Sequence, residues 1–277
     1  MKLKTLFSLS IVMAVMASMS ATSHAQSTRI MVEFEVNFAE TGTGFAPLAS
    51  VFHDGSFNTF DMATQLSQDA GLTALAEGGN PAAFLGEAAA QSSLFDLGNT
   101  DGQIGGSNRP LSRSFEVDVR DGNSTFSFAS MFLPSNDWFI ADRNGDGVDI
   151  SALLDGTSTE QLINLDTIYD AGTELEDFTR GGGTGQDPFG LATRLSDAEG
   201  GNPNDQNDFI TQVTRTAGVN LFQDFVNPNN EPIDRFLGAS SASSLGTIRL
   251  SVVAVPEPSS ILFGLMIGGV AMVRRKR

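Results

Sequence analysis

Apolar and polar side chains alternate along several segments of this chain, which is typical of half-buried β-strands. In residues 29–38 the alternation places one apolar set on a single face: Ile30, Val32, Phe34, Val36 and Phe38. Further apolar runs lie at 48–52, 112–119, 124–132, 138–140, 209–216 and 246–254. Because Asp121-Gly122-Asn123 is a hairpin signal between two of these runs, the pattern predicts antiparallel pairing.

Two regions depart from this alternation. Residues 72–90 are rich in Ala, Leu and Glu, and Asn80-Pro81 is a helix-start signal, so we predict short helices at 70–77 and 81–91. Residues 98–110 and 142–207 are rich in Gly, Asn and Asp, which predicts loops. The expected fold is therefore an all-β antiparallel sandwich with short helices and long acidic loops.

The first 25 residues have the three parts of a secretory signal peptide. Lys2 and Lys4 supply positive charge, an apolar segment follows at 6–19, and Ser23-His24-Ala25 provides small residues for cleavage after Ala25. We therefore expect signal peptidase to release a mature exported chain. A membrane-anchoring helix that is never cleaved is the alternative.

Residues 255–277 combine Pro256-Glu257-Pro258, an apolar run and a basic end. The apolar run at 261–273 has 13 residues, about 20 Å of helix, which is shorter than a hydrocarbon core of about 30 Å. This arrangement resembles the PEP-CTERM sorting signal of Gram-negative bacteria. The resemblance implies transient attachment to the inner membrane, cleavage by an exosortase near Val255, and delivery to the cell surface or the medium. An ordinary tail anchor is the alternative.

Charge and composition narrow the function of the region between these ends. Residues 26–255 hold 10 arginines, no lysine and 32 acidic residues, a formal charge of −22, which disfavours binding to nucleic acid or anionic lipid. The absence of cysteine excludes thiol catalysis and thiolate metal sites. His53 is the one histidine of this region, and no Gly-x-Ser-x-Gly accompanies it. We therefore expect no enzymatic activity.

One loop has part of a calcium-binding pattern. Asp142, Asn144 and Asp146 occupy its first, third and fifth positions, and a glycine follows at the sixth, as in the front half of an EF-hand loop. Leu153 stands at the twelfth position, where a bidentate glutamate would be needed. The alternative is a plain pair of Asn-Gly and Asp-Gly turns.

Four motifs together resemble the spondin domain, across residues 29–254. Two contain acids, Pro134-Ser135-Asn136-Asp137-Trp138-Phe139-Ile140 and Tyr169-Asp170-Ala171-Gly172-Thr173-Glu174, and the others lie at 53–57 and 71–80. The resemblance implies a C2-like antiparallel β-sandwich that binds a calcium ion. The ligands it implies here are Asp137, Asp170 and Glu174, where Glu174 replaces the aspartate of the family.

These observations lead to one functional hypothesis and one alternative. The first is an exported, non-enzymatic calcium-binding module for the extracellular matrix or cell-surface adhesion, whose partner is an extracellular polysaccharide or matrix protein. The alternative is a secreted carbohydrate-binding module or glycoside-active enzyme, which would use paired carboxylates near Trp138. An exposed Trp138 in a groove would favour the alternative, and a Trp138 packed between sheets would weigh against it.

Overall fold

The computed structural model describes the β-rich region between the two terminal segments. The described residues are 27–37, 44–67, 70–105, 109–133, 135, 137–173, 207–215 and 244–254. Several predicted features lie outside them, namely the signal peptide with Ala25, the third ligand Glu174, and the sorting tail with Pro256, Glu257 and Pro258. Within the described part, no helix combines the length and the apolar character that crossing a membrane requires.

Strands make up most of the described secondary structure. They are β1 Ser27–Val36, β2 Gly44–Phe45, β3 Ala49–His53, β4 Asp96–Asn99, β5 Ser112–Arg120, β6 Thr125–Leu133, β7 Trp138–Ala141, β8 Val148–Asp149, β9 Glu160–Leu165, β10 Tyr169–Asp170, β11 Thr211–Gln212 and β12 Gly246–Val252. The helices are α1 Gly71–Gly78, α2 Pro81–Gln91 and the short α3 Ser151–Leu154, with a 3-10 turn at Arg143–Gly145.

The smaller sheet has the strand order β5-β1-β12-β9, and its neighbouring strands are antiparallel. The predicted apolar face of β1 is confirmed, because Ile30, Val32, Phe34 and Val36 are buried. The opposite face is polar and carries ion pairs across the strands, such as Arg29 with Asp118 at 2.8 Å. This sheet therefore has one face in the core and one face toward solvent, as alternation requires.

The larger sheet has the order β11-β10-β7-β6-β3-β4, with β2 and β8 also paired to β6. One face packs against the smaller sheet through phenylalanines, for example Phe34 and Phe45 with ring centroids 5.3 Å apart. The other face packs against the apolar sides of α1 and α2, which contribute Leu75 and Phe84. Both faces are thus covered, which explains why almost every residue of β6 is buried.

The predicted helices are confirmed almost to the residue. The second begins as expected, since the side chain of Asn80 accepts a hydrogen bond from Ala82 N–H at 3.1 Å and Pro81 occupies the first turn. The first ends at Gly79, which has φ of 61° and donates its N–H to Leu75 O. Local capping chemistry was sufficient to fix both boundaries.

Three loop or strand boundaries and one hairpin were wrong. The turn at Asp121-Gly122-Asn123 joins the two sheets, because β5 pairs with β1 whereas β6 pairs with β3 and β7, so the two flanking strands do not form the predicted hairpin. The predicted loop at 142–207 contains α3, β9 and β10, and the predicted loop at 98–110 begins inside β4. The predicted strand at 209–216 is reduced to Thr211–Gln212. The physical reason for β9 is its position at the sheet edge, where only Leu165 is fully buried and polar residues are tolerated on the outer face. The sandwich itself, with short helices, is confirmed.

Candidate functional site

Two predicted ligands, Asp137 and Asp170, lie close together at the same end of the neighbouring strands β7 and β10. Asp137 directly precedes β7, and Asp170 ends β10. The antiparallel register of these strands pairs Asp170 with Trp138, the residue after Asp137. Asp137 is fully buried and Asp170 is half-buried. The fold therefore unites one acid from each of the two motifs.

A tight turn after β10 holds this pair in place. Gly172 has φ of 67°, a left-handed conformation that favours glycine, and its N–H donates to Asp170 Oδ1 at 2.7 Å. The turn returns Thr173 to Asp137, where its N–H donates to Asp137 Oδ2 at 3.0 Å. The N–H of Ala171 also donates to the backbone oxygen of Asp137 at 3.3 Å. A side chain at position 172 would displace the chain, because a Cβ there would lie 2.9 Å from Asp208 O.

Burial and a neighbouring acid both affect the pKa of Asp170. Burial raises the pKa of Asp170, and the nearby charge of Asp208 raises it further. The Gly172 hydrogen bond and a hydrogen-bonding contact with Asp137 lower this pKa, but they do not outweigh burial. The N–H of Asp208 donates to Gly172 O at 2.9 Å, which fixes its segment against the turn. Asp208 was not among the predicted ligands, since no motif in its own segment marks it.

The described residues do not by themselves form a metal-binding shell. Among them, no group of three or more His, Asp or Glu side chains is arranged to hold a metal ion. The predicted third ligand, Glu174, directly follows Thr173 and lies outside the described residues. The two carboxylates and the threonine hydroxyl are hard oxygen donors of the type that calcium prefers. The donor chemistry thus fits calcium, and the calcium site stays a prediction.

The second predicted metal loop is organised around Asp142. Its Oδ1 accepts hydrogen bonds from Thr59 Oγ1 at 2.6 Å and Phe128 N–H at 3.1 Å, and its Oδ2 accepts from Gly147 N–H at 2.7 Å. Burial raises the pKa of Asp142, and these three hydrogen bonds counteract the rise. Asn144 and Asp146 are exposed. The Asp142 carboxylate thus joins β6, the loop after β3 and its own turn, a structural use that competes with ion binding.

His53 forms a buried contact with a serine, which bears on the hydrolase possibility. Its Nδ1 accepts hydrogen bonds from Gly55 N–H at 3.1 Å and Phe57 N–H at 3.3 Å. The ring hydrogen is therefore on Nε2, which donates to Ser127 Oγ at 3.1 Å. Nε2 then has no lone pair with which to accept a proton from Ser127. His53 caps the end of β3, as its position before Asp54-Gly55 indicated, and it does not have the geometry of a general base.

This role of His53 predicts a specific pH dependence of stability. Burial lowers the pKa of His53, so below a pH of about 6.5 the unfolded chain binds a proton that the folded chain resists. We expect the stability contribution to be complete above that pH and to fall as the pH decreases, by at most about 1.4 kcal/mol per pH unit. Urea unfolding of the 26–255 fragment between pH 5 and 7.5 measures it. Because His53 is the sole histidine there, a His53→Asn variant with an undiminished slope would contradict the assignment.

Trp138 is packed between the two sheets. It is 4% exposed, and its ring stacks on Phe132 with centroids 6.4 Å apart. A carbohydrate-binding platform requires an exposed aromatic face, so the alternative of a glycoside-active site beside Trp138 loses its central residue. The burial of Trp138 has a simple physical reason, because β7 is an inner strand of the larger sheet and Trp138 lies on its core face.

Fold and site together define an all-β sandwich module that carries a buried and a half-buried carboxylate beside a glycine turn. A family model described as Spondin_N matches residues 24–179, which is more than half of the chain, and the chain therefore belongs to the Spondin_N family. A model of the PEP-CTERM protein-sorting motif matches residues 254–277. No curated protein matches the chain. The protein is thus an exported Spondin_N member with a C-terminal signal for sorting by an exosortase.

Proposed function

We propose that the sandwich binds a calcium ion through Asp137 and Asp170, with Glu174 as a third ligand, and acts outside the cell as a non-enzymatic adhesion or matrix module. The observation that carries this proposal is the contact of Asp137, which directly precedes β7, with Asp170 at the end of β10. The two acids come from separate motifs, and the turn at Gly172 holds them together.

A bound cation would relieve an unfavourable concentration of negative charge. Asp137 is buried, Asp170 is half-buried, and Asp208 adds a third negative charge nearby. Like-charged carboxylates in such surroundings either take up a proton or pair with a cation. Calcium would supply positive charge and accept oxygen ligands in flexible geometry, which suits a glutamate at the third position.

The proposed role in adhesion rests on export and on surface charge. A formal charge of −22 for residues 26–255 keeps the module soluble and limits contact with nucleic acid or anionic surfaces. A calcium ion would reduce the negative charge of the three ligands from −3 to −1, and the partner we propose is an extracellular polysaccharide or a matrix protein. Membership of the Spondin_N family supports the adhesion role by analogy with other members.

Calorimetric titration of calcium into the purified 26–255 fragment tests the metal site directly. We expect one saturable site in the wild type and loss of most of the binding heat in Asp137→Asn and Asp170→Asn. Asp121→Asn is the matched control, since Asp121 is an exposed acid in the turn between β5 and β6. Equal binding by all four proteins, or none by the wild type, would refute the proposed site.

The sorting tail predicts a defined change in mass. Intact-mass measurement of the exported protein from a host with an active exosortase should show loss of the residues after about Val255. A variant in which Pro256, Glu257 and Pro258 are all replaced by alanine should keep the complete tail. Recovery of surface-exposed wild-type protein that still ends at Arg277 would contradict the cleavage.

A further inference from the structure

The first and last strands of the described sandwich meet at one end of the smaller sheet. In their antiparallel register Ile30 pairs with Val252, and Val253 N–H donates to Arg29 O at 2.9 Å. The start of β1 also lies beside the end of β5, where Ser27 pairs with Arg120. We call this end of the sandwich, where β1 begins and β12 ends, the tail end.

The sorting tail follows this end almost without a linker. The tail match begins at residue 254, directly after Val253, whose N–H is bonded to β1. Pro256 is three residues beyond Val253, and three extended residues reach only about 10 Å. A tail that is held in the membrane therefore keeps the tail end of the sandwich close to the bilayer.

The candidate calcium site lies at the opposite end. Strand β6 starts at the tail end, where Thr125 pairs with His53 and Asp149, and it runs nine residues to Leu133. Asp137 comes shortly after Leu133, before the chain turns back as β7. Nine strand residues span roughly 25–30 Å, so the paired carboxylates are separated from the tail end by about that length.

The tail end itself carries negative charge. Its exposed acids lie at the ends of strands and in the loops beside them: Asp54, Asp121, Asp149, Asp155 and Glu160. The arginines that the structure describes there are engaged in ion pairs: Arg29 with Asp118 at 2.8 Å, Arg120 with Asp96 at 3.3 Å, and Arg249, which reaches Glu160 at 3.5 Å. Such a surface is repelled by anionic lipid head groups rather than attracted to them.

We infer that the uncleaved protein stands on the membrane with its tail end toward the bilayer and the Asp137–Asp170 pair pointing away. The contact depends on the tail alone, because the acidic tail end has no attraction for an anionic surface. Removal of the tail by the exosortase then releases the domain from the membrane. This inference rests on the sheet register and the sorting-tail match, so it holds or fails independently of calcium binding.

The natural absence of cysteine allows a direct test of the orientation. Asp121→Cys places a label at the tail end, and Asp166→Cys places one just after β9, at the opposite end. The two substitutions are matched, since each replaces an exposed aspartate. Full-length protein with an uncleaved tail is labelled with a donor dye and inserted into phosphatidylcholine vesicles that contain an acceptor-labelled lipid.

We expect energy transfer to the lipid to be at least about twofold more efficient from position 121 than from position 166, because the labels differ in height by roughly 25 Å. Equal or reversed efficiencies would overturn the orientation. A variant with ten Gly and Ser residues inserted between Val255 and Pro256 should largely lose the difference, since a flexible linker removes the constraint. Retention of the full difference in that variant would show that the short connection does not set the orientation.

A second measurement tests release. The 26–255 fragment should not co-sediment with vesicles that contain one third phosphatidylglycerol, whereas the full-length protein should. The salt concentration and the absence of divalent cations are kept the same in both samples. Co-sedimentation of the fragment to a similar extent would mean that the domain binds the bilayer by itself, and it would overturn the claim that the tail alone attaches it.

Discussion

Millimolar calcium is expected to raise the melting temperature of the 26–255 fragment, and Asp170→Asn is expected to abolish most of the rise. A ligand that binds only the folded state stabilises it by RT ln(1 + [L]/Kd), about 2.7 kcal/mol at a hundredfold excess over Kd. For a domain of this size that corresponds to about 5–10 °C. Asp170 is critical because it contacts both Asp137 and the turn at Gly172.

Asp170→Asn also distinguishes a role of Asp170 in metal binding from a role in stabilising the fold without metal. Without calcium, Asp170→Asn removes one charge from a group of like charges, so we expect its melting temperature to be unchanged or slightly higher. The Asp121→Asn control should retain the full calcium response, because Asp121 is an exposed residue in the distant turn between β5 and β6. Differential scanning calorimetry with and without calcium measures all three proteins. An unchanged wild-type melt at millimolar calcium would contradict the site.

Asp142→Ala is expected to lower the free energy of unfolding by about 3–5 kcal/mol, with or without calcium. The substitution leaves Thr59 Oγ1, Phe128 N–H and Gly147 N–H without their shared acceptor in a buried environment. Each unsatisfied buried donor costs about 1–3 kcal/mol, and part of this cost is recovered if water enters. Chemical denaturation of the 26–255 fragment, analysed at constant m-value, measures the loss.

Asp146→Ala is the control for this loop. Asp146 is exposed and belongs to the same predicted calcium pattern, so on structural grounds alone it should change stability by less than about 0.5 kcal/mol. If the loop binds calcium, both variants should lose a calcium-dependent increment. If Asp142 is structural only, its cost should be the same in both conditions. A neutral Asp142→Ala would contradict the structural role assigned to this carboxylate.

The sequence was most informative where structure depends on local chemistry. The alternation of β1, the Ala, Leu and Glu content of residues 72–90 and the start signal at Asn80-Pro81 were sufficient to place a strand and two helices, because these signals act within a few residues. Strand β9 was missed since an edge strand needs only one apolar face and tolerates Glu160 and Gln161 beside it. The packing of α1 and α2 on the larger sheet could not be predicted, because it depends on contacts between distant segments.

At the candidate site, too, local signals could be predicted from the sequence, whereas contacts between distant segments could not. Asp137 and Asp170 were identified through a family resemblance, and their adjacency became visible only in the pairing of β7 with β10. Asp208 approaches through a segment far along the chain, so no spacing rule could have included it. Conversely, the Asp142 loop has a convincing local pattern, but hydrogen bonds from Thr59 and Phe128 give its carboxylate another use.

The position of β12 in the middle of the smaller sheet has a consequence for the timing of folding. Strands β1 and β9 both pair with β12, yet β12 is the last strand of the described chain. During export from the N-terminus onward, β1 crosses the membrane first and can pair with β5, but its second partner, β12, lies more than two hundred residues behind it. The smaller sheet is complete only when the segment just ahead of the sorting tail has crossed the membrane. The domain therefore finishes folding at about the time when the sorting tail reaches the membrane.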